Sequence, residues 1–126
     1  MAFGDIGGTY TELIITCSTP NTGPVNIRRG DALKLIGGYE VTNTFTGEDV
    51  IFGQAMNDCN TNDTAIPVKV RGICIFEYLG IPPTINGLQG IVGSTSPGKV
   101  KTPASGNGFG RVVKVEPSAN RVHILL

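Results

Sequence analysis

Ile66-Pro67-Val68-Lys69-Val70-Arg71-Gly72-Ile73-Cys74-Ile75-Phe76-Glu77-Tyr78 decides the fold class. Its even positions are apolar or glycine, and its odd positions carry Pro67, Lys69, Arg71 and Glu77. A period of two over that length is a half-buried β-strand, with Gly72 as the place for a bend. Ile73 and Ile75 fall on the otherwise polar side, which predicts a surface that something else covers. The same alternation recurs over 10–18, where Leu13, Ile15 and Cys17 oppose Glu12, Thr16 and Ser18. It recurs over 109–115, with Phe109, Val113 and Val115 on one side, and at Val122, Ile124 and Leu126. That last run predicts a final strand paired into a sheet. Shorter strands are predicted at 32–36, 39–43, 49–55, 88–92 and 99–102, separated by Pro20–Gly23, Gly37-Gly38, Ser96–Gly98 and Pro117–Asn120 turns. Helical periodicity is absent, with a single turn allowed near Gln54–Asp58.

The expected fold is therefore all-β: an antiparallel β-barrel or sandwich of about 8–10 short strands. Residues 1–22 are assigned to an N-terminal arm with the first strand, and 23–126 to a single β domain. Phe52-Gly53-Gln54-Ala55 is matched fifty-seven positions later by Phe109-Gly110-Arg111-Val112. Each is preceded by a glycine turn and a short strand, Gly38–Thr42 and Gly98–Thr102, and followed by a polar loop and an alternating strand. This pattern predicts an internal pseudo-duplication, two copies of one β-unit packed together.

Composition narrows the function. Of 126 residues, 18 are Gly and 8 Pro, which leaves little room for long helices. Ten basic residues balance ten acidic ones, so the chain lacks the charge excess that duplex nucleic acid or an anionic membrane demands. Neither a signal peptide nor an apolar run of the ~18 residues needed to span a bilayer is expected. Cys17, Cys59 and Cys74 form no CxxC pair and read as reduced thiols of a protein made in a cytoplasm. Asn62-Asp63-Thr64 matches a glycosylation sequon that has no use without secretion.

Catalytic and cofactor signals are thin. His123 is the single histidine and lacks an orienting carboxylate and nucleophile in any recognisable pattern. With it and three scattered cysteines, a zinc site is not expected. Asp58–Asp63 begins as a calcium loop, but Asp63 stands where glycine is required and Lys69 where the closing glutamate is required, so it reads as an Asx-rich turn. Gly106-Asn107-Gly108-Phe109-Gly110 precedes a strand rather than a helix and reads as a tight turn or bulge, not a phosphate cradle. No catalytic residue, metal or cofactor is assigned.

What is left points to protein contact. Arg28-Arg29 and Lys99 with Lys101 are either solvated or a dock for an acidic partner. Leu79–Leu88 is apolar yet broken by Pro82 and Pro83, so it cannot be an interior strand. Phe3, Ile6 and Tyr10 lie among glycines and suit anchors of an inserting arm. The candidate interaction residues are Phe3, Ile6, Tyr10, Arg28, Arg29, Ile73, Ile75, Ile81, Pro82 and Ile85.

Gly30-Asp31-Ala32-Leu33-Lys34-Leu35, Gly38–Thr42, Asn62–Gly72, Pro97-Gly98-Lys99-Val100 and Phe109–Val112 with Arg121–Leu126 occur in an order that resembles the capsid cement, or head decoration, proteins of tailed bacteriophages. The resemblance spans roughly residues 23–126. It implies a β-rich structural module that sits as trimers on the outside of an icosahedral capsid, bridging subunits of the major capsid protein. It further implies no enzymatic activity, no nucleic acid or membrane partner, and a location on the virion exterior. Two other classes stay open. A small trimeric all-β phosphohydrolase of the dUTP-pyrophosphatase kind fits the length, although its motifs lack counterparts. A carbohydrate-binding β-sandwich is disfavoured by the absence of Trp and by only three Tyr.

Overall fold

In the computed structural model residues 12–126 are described. Ten strands and one 3-10 turn, Pro117–Ala119, make up the fold. The first five strands are β1 (Leu13–Ser18), β2 (Ala32–Gly37), β3 (Glu40–Thr42), β4 (Gly53–Ala55) and β5 (Ala65–Arg71). They close into a barrel in the order β1-β3-β2-β4-β5. The second five are β6 (Ile73–Leu79), β7 (Val92–Gly93), β8 (Val100–Lys101), β9 (Arg111–Glu116) and β10 (Arg121–Leu125). Their order is β7-β8-β6-β10-β9. This second sheet is not a closed ladder: its edges are linked by the isolated Ile91–Phe109 bridge and the bond from Val112 N–H to the Gln89 carbonyl, and it is called the second barrel below for that partial closure.

The duplication is visible strand by strand. β1 runs parallel to β3 and antiparallel to β5; β6 runs parallel to β8 and antiparallel to β10. Both sheets are thus mixed, each with one parallel pair among antiparallel ones. Backbone bonds repeat as well. Phe52 N–H donates to the Leu33 carbonyl and Ala55 N–H to the Asp31 carbonyl; Phe109 N–H donates to Ile91 and Val112 N–H to Gln89. Gly53 and Gly110 are equivalent, and both lie close to the backbone of the paired strand. A Cβ on Gly53 would stand 2.6 Å from the Lys69 carbonyl oxygen, and one on Gly110 3.0 Å from that of Leu125.

Each barrel holds its own core. Cys17, Leu33, Val41, Ala55, Ile66 and Val68 fill the first; Phe76, Ile91, Val100, Val112, Val122 and Ile124 occupy the matching positions of the second. Burial of each large side chain is worth roughly 1.5–3 kcal/mol, so either core is a substantial stabilising unit. The cores also fix the register of the repeat. Val41 matches Val100, one residue away from the alignment that superposes Gly38 on Gly98.

The long alternating stretch is two strands, not one. Gly72 takes φ +117, a conformation open to glycine, and passes the chain from the first barrel to the second. Alternation survives the break because even-numbered positions face inward on both sides of it. The last residue seals this crossing: Leu126 N–H donates to the Gly72 carbonyl at 2.9 Å. The pairing expected for the final strand is therefore present.

Three local expectations are corrected. Val113 is exposed and Val112 buried, because β9 bulges: Ile124 pairs with Val112 and His123 with Lys114, leaving Val113 unopposed. The strand expected at 49–55 is only Gly53–Ala55, since Asp49 ties the preceding loop by accepting from Thr46 N–H at 2.6 Å. No helical turn forms over Gln54–Asp58; Asp58 instead accepts the Arg29 N–H at 2.7 Å.

Candidate functional site: an arginine-rimmed cleft between the barrels

The barrels meet through two contacts. Phe45 and Ile51, from the loop after β3, pack into the second core, where Gly93 leaves room for the Phe45 ring. In return the β7–β8 hairpin tip, Pro97-Gly98-Lys99, presses on the first barrel. Ala32 N–H donates to the Gly98 carbonyl and Gly98 N–H to the Asn43 carbonyl. Gly98 sits at φ +74 with its missing Cβ position 2.3 Å from the Asp31 carboxyl carbon, so no side chain fits there. Asp31 is held in turn by Arg28 N–H and by Asn43 Nδ2, each at 2.9 Å.

Beside this junction opens a cleft of about 1050 Å3. Buried Gln54 spans its floor, donating from Nε2 to the Gly30 carbonyl of one barrel and the Ile75 carbonyl of the other. Arg28, Arg29, Lys99 and Arg121 stand around it with Asp31 and Glu77. Both carboxylates are already engaged: Asp31 as above, Glu77 with Lys99 at 3.3 Å. Among the described residues no salt bridge or side-chain hydrogen bond reaches the guanidinium of Arg28, Arg29 or Arg121. Arg121 lies opposite Glu77 and Glu116 in the sheet, yet Glu116 is taken by His123 at 3.2 Å. That bond pulls the Glu116 carboxyl below its ordinary value, with burial opposing and Lys114 assisting. Apolar patches line the same cleft, Ile75 at 45% exposure together with Met56, Pro97 and Ala119. A face with free guanidinium forks and intervening apolar surface can bind a carboxylate-bearing protein segment through bidentate, charge-assisted bonds.

The sequence-derived candidates divide between locations. Arg28, Arg29 and Ile75 converge on the cleft. Ile73 is half-buried, and its carbonyl accepts from Lys69 Nζ. Ile81, Pro82 and Ile85 are exposed on the β6–β7 loop. Phe3, Ile6 and Tyr10 lie outside the described residues. Sequence reasoning missed Arg121, Gln54 and Asp31. The signal for Arg121 is register, which pairs it with Glu77 of β6 beside Lys99, while Gln54 and Asp31 owe their place to contacts between the two halves. The Asp58–Asp63 stretch is a turn: Asn62 Nδ2 donates to the Pro20 and Gly23 carbonyls and Asp63 adopts φ +51. Gly106, Gly108 and Gly110 all take positive φ, as a tight turn requires. Among the described residues no cluster of His, Cys, Asp and Glu has metal-binding geometry, and no helix is long and apolar enough to cross a membrane.

No protein-family model matches the chain, and no curated protein is significantly similar to it.

Proposed function

We propose that this protein is a structural virion component that binds the outside of an icosahedral phage capsid, as a trimer, and stabilises it by bridging neighbouring subunits of the major capsid protein. The ordered set of β-motifs supports the reading. The observation that carries it is the convergence of Arg28, Arg29, Arg121 and Ile75 on one open cleft, a surface chemically suited to protein. The acidic segment it accepts belongs to the shell. Gln54 and Asp31 tie the two barrels together beside the cleft, so a contact made there bears on both halves of the chain.

Co-sedimentation with empty shells assembled from the accompanying major capsid protein tests this. The intact protein pellets with the shells to saturation. Arg28→Glu with Arg29→Glu, whose side chains support no bond within the fold, lowers the affinity about tenfold or more, equivalent to ~1.4 kcal/mol. Shells left bare by the intact protein refute the reading. Removal of residues 1–9 asks separately whether the arm anchors, since full occupancy by the shortened protein excludes that part.

A further inference from the structure

The contact between the two halves is one-sided. The hairpin tip of the second barrel sits on residues 28–32 of the first, whereas among the described residues no backbone hydrogen bond joins the matching tip of the first barrel, Gly38-Tyr39-Glu40, to the second. Tyr39 and Gly98 are equivalent by the core register, and both hold the left-handed conformation, φ +56 and +74. Gly98 is buried against Asp31, whereas Tyr39 is 70% exposed. The converse holds at the receiving face. Asp31 is matched by Gln89, through the equivalent bonds from Ala55 and Val112, so residues 28–31 correspond to 86–89. Among the described residues no hairpin tip is hydrogen-bonded to that segment of the second barrel.

Two halves related this way make a heterologous contact, not a self-complementary one. Such a contact leaves one unused donor surface and one unused acceptor surface, and repetition gives a ring or a filament. Five of the thirteen large apolar side chains exposed among the described residues belong to these two segments. Leu35, Ile36 and Tyr39 cluster at the free tip; Ile85 and Leu88, 58% and 67% exposed, flank the free face.

We propose that a second copy of this chain docks head to tail, the β2–β3 tip of one copy on the 85–89 segment of the next. The contact uses between chains the surfaces equivalent to those joined within one chain, with side-chain packing in place of the close backbone approach at Gly98. Tyr39 cannot copy the close approach of Gly98, so its ring covers Leu88 and Ile85 instead of entering as backbone. The proposal rests on the self-association part of the capsid reading and specifies its surface, assigning Ile85 and Leu88 to the copy–copy contact and leaving the cleft for the shell.

The test uses Tyr39→Glu, which spoils the tip, and Leu88→Glu, which spoils the face. Both side chains are exposed, and far-UV circular dichroism confirms that each variant is folded. Masses are read by sedimentation velocity at roughly 100 µM, where a contact with a Kd of ~10 µM is mostly formed. The intact protein is expected as a multimer and each variant alone as a monomer. An equimolar mixture of the two variants is expected as a heterodimer, because one good tip and one good face remain. Leu35→Lys replaces the tip variant if Tyr39→Glu does not fold. A monomeric intact protein overturns the proposal, as does a variant that keeps the intact mass or a mixture that stays monomeric. None of these results depends on shell binding, so a head-to-tail multimer that ignores shells fails the capsid reading alone.

Discussion

Replacing the equivalent glycines of the two barrels tests the repeat at its tightest points. At Gly53 an added Cβ meets the Lys69 carbonyl oxygen at 2.6 Å and Val68 Cγ1 at 2.7 Å. The first obstacle is backbone of the paired strand, so relief requires β4 and β5 to separate. Overpacking of this kind costs about 1–3 kcal/mol, offset by up to ~1 kcal/mol because alanine restricts the unfolded chain. At Gly110 the Cβ meets Ile124 Cγ2 at 2.5 Å and the Leu125 carbonyl oxygen at 3.0 Å, with φ at +69. The left-handed conformation adds about 1–2 kcal/mol for a residue with a Cβ. Gly38 is the control, with nothing within 4 Å and no positive φ. Urea unfolding followed by far-UV circular dichroism reads the outcome. With a slope of about 1–3 kcal/mol per molar, Gly53→Ala lowers the midpoint by about 1 M and Gly110→Ala by more, while Gly38→Ala leaves it unchanged or raises it. Equal midpoints for Gly53→Ala and Gly38→Ala would refute the close approach of β4 to β5. Because the barrels share Phe45, Ile51, Gln54 and Asp31 as contacts, one transition is expected, and each variant shifts all of it. Two transitions, each moved by one variant, would refute the shared junction.

Acidification and thiol chemistry provide two further checks. Hydrogen bonds from Lys101 and Ala104 N–H lower the Glu48 carboxyl below its ordinary 4.5; burial pushes the Asp49 carboxyl up, but bonds from Thr46 and Lys34 outweigh it and leave it below 3.8. Depressed carboxylates stabilise the fold above their unfolded values and lose that contribution as pH falls through the folded ones, so the urea midpoint is flat from pH 7 to about 5 and drops below ~4.5; a midpoint that rises on acidification contradicts those bonds. Burial pushes the Cys74 thiol up to about 11 and raises Cys17, while Cys59 is only half-buried. A disulfide-exchange reagent should therefore modify Cys59 quickly in the folded protein and all three thiols in denaturant, and rapid modification of Cys74 in the folded state would show its core to be open.

The strands were legible because a half-buried sheet imposes a period of two on its sequence, and 66–78, 10–18 and 122–126 carry that period plainly. The Phe-Gly pairs were legible for a different reason: the second residue of each lies where no Cβ fits. What escaped the sequence depends on partners distant along the chain. Gly72 ends one barrel and begins another, yet the alternation runs through it unbroken. The Val113 bulge places two adjacent residues opposite one, and no local pattern distinguishes it from regular alternation. The parallel pairs β1·β3 and β6·β8 depend on crossovers that leave no local mark. Arg28-Arg29 and Lys99 were visible as charges, but only the register of β6, β8 and β10 adds Arg121 and makes them one cleft.

The comparison of the two halves shows where this chain keeps its specificity. Positions facing the cores retain their character across the repeat: Leu33 with Ile91, Val41 with Val100, Ile66 with Val122 and Val68 with Ile124 are all apolar and buried. Positions at the rim diverge, and each divergence has a contact behind it. Gln54 is buried and bonds across to Ile75, while its counterpart Arg111 is exposed opposite Leu125. Asp31 receives a hairpin tip and holds Arg28 N–H; Gln89 in the second barrel receives none. Tyr39 and Gly98 share a left-handed backbone conformation, but Gly98 has no side chain and is pressed against Asp31, whereas the Tyr39 side chain is exposed. A duplicated barrel is stable wherever its core is filled, so the core constrains function little. The asymmetric rim, by contrast, sets which surfaces are consumed within the chain and which stay available. The cleft and the free tip follow from one cause: a head-to-tail join uses one tip and one face, and leaves a tip, a face and the groove beside the junction open.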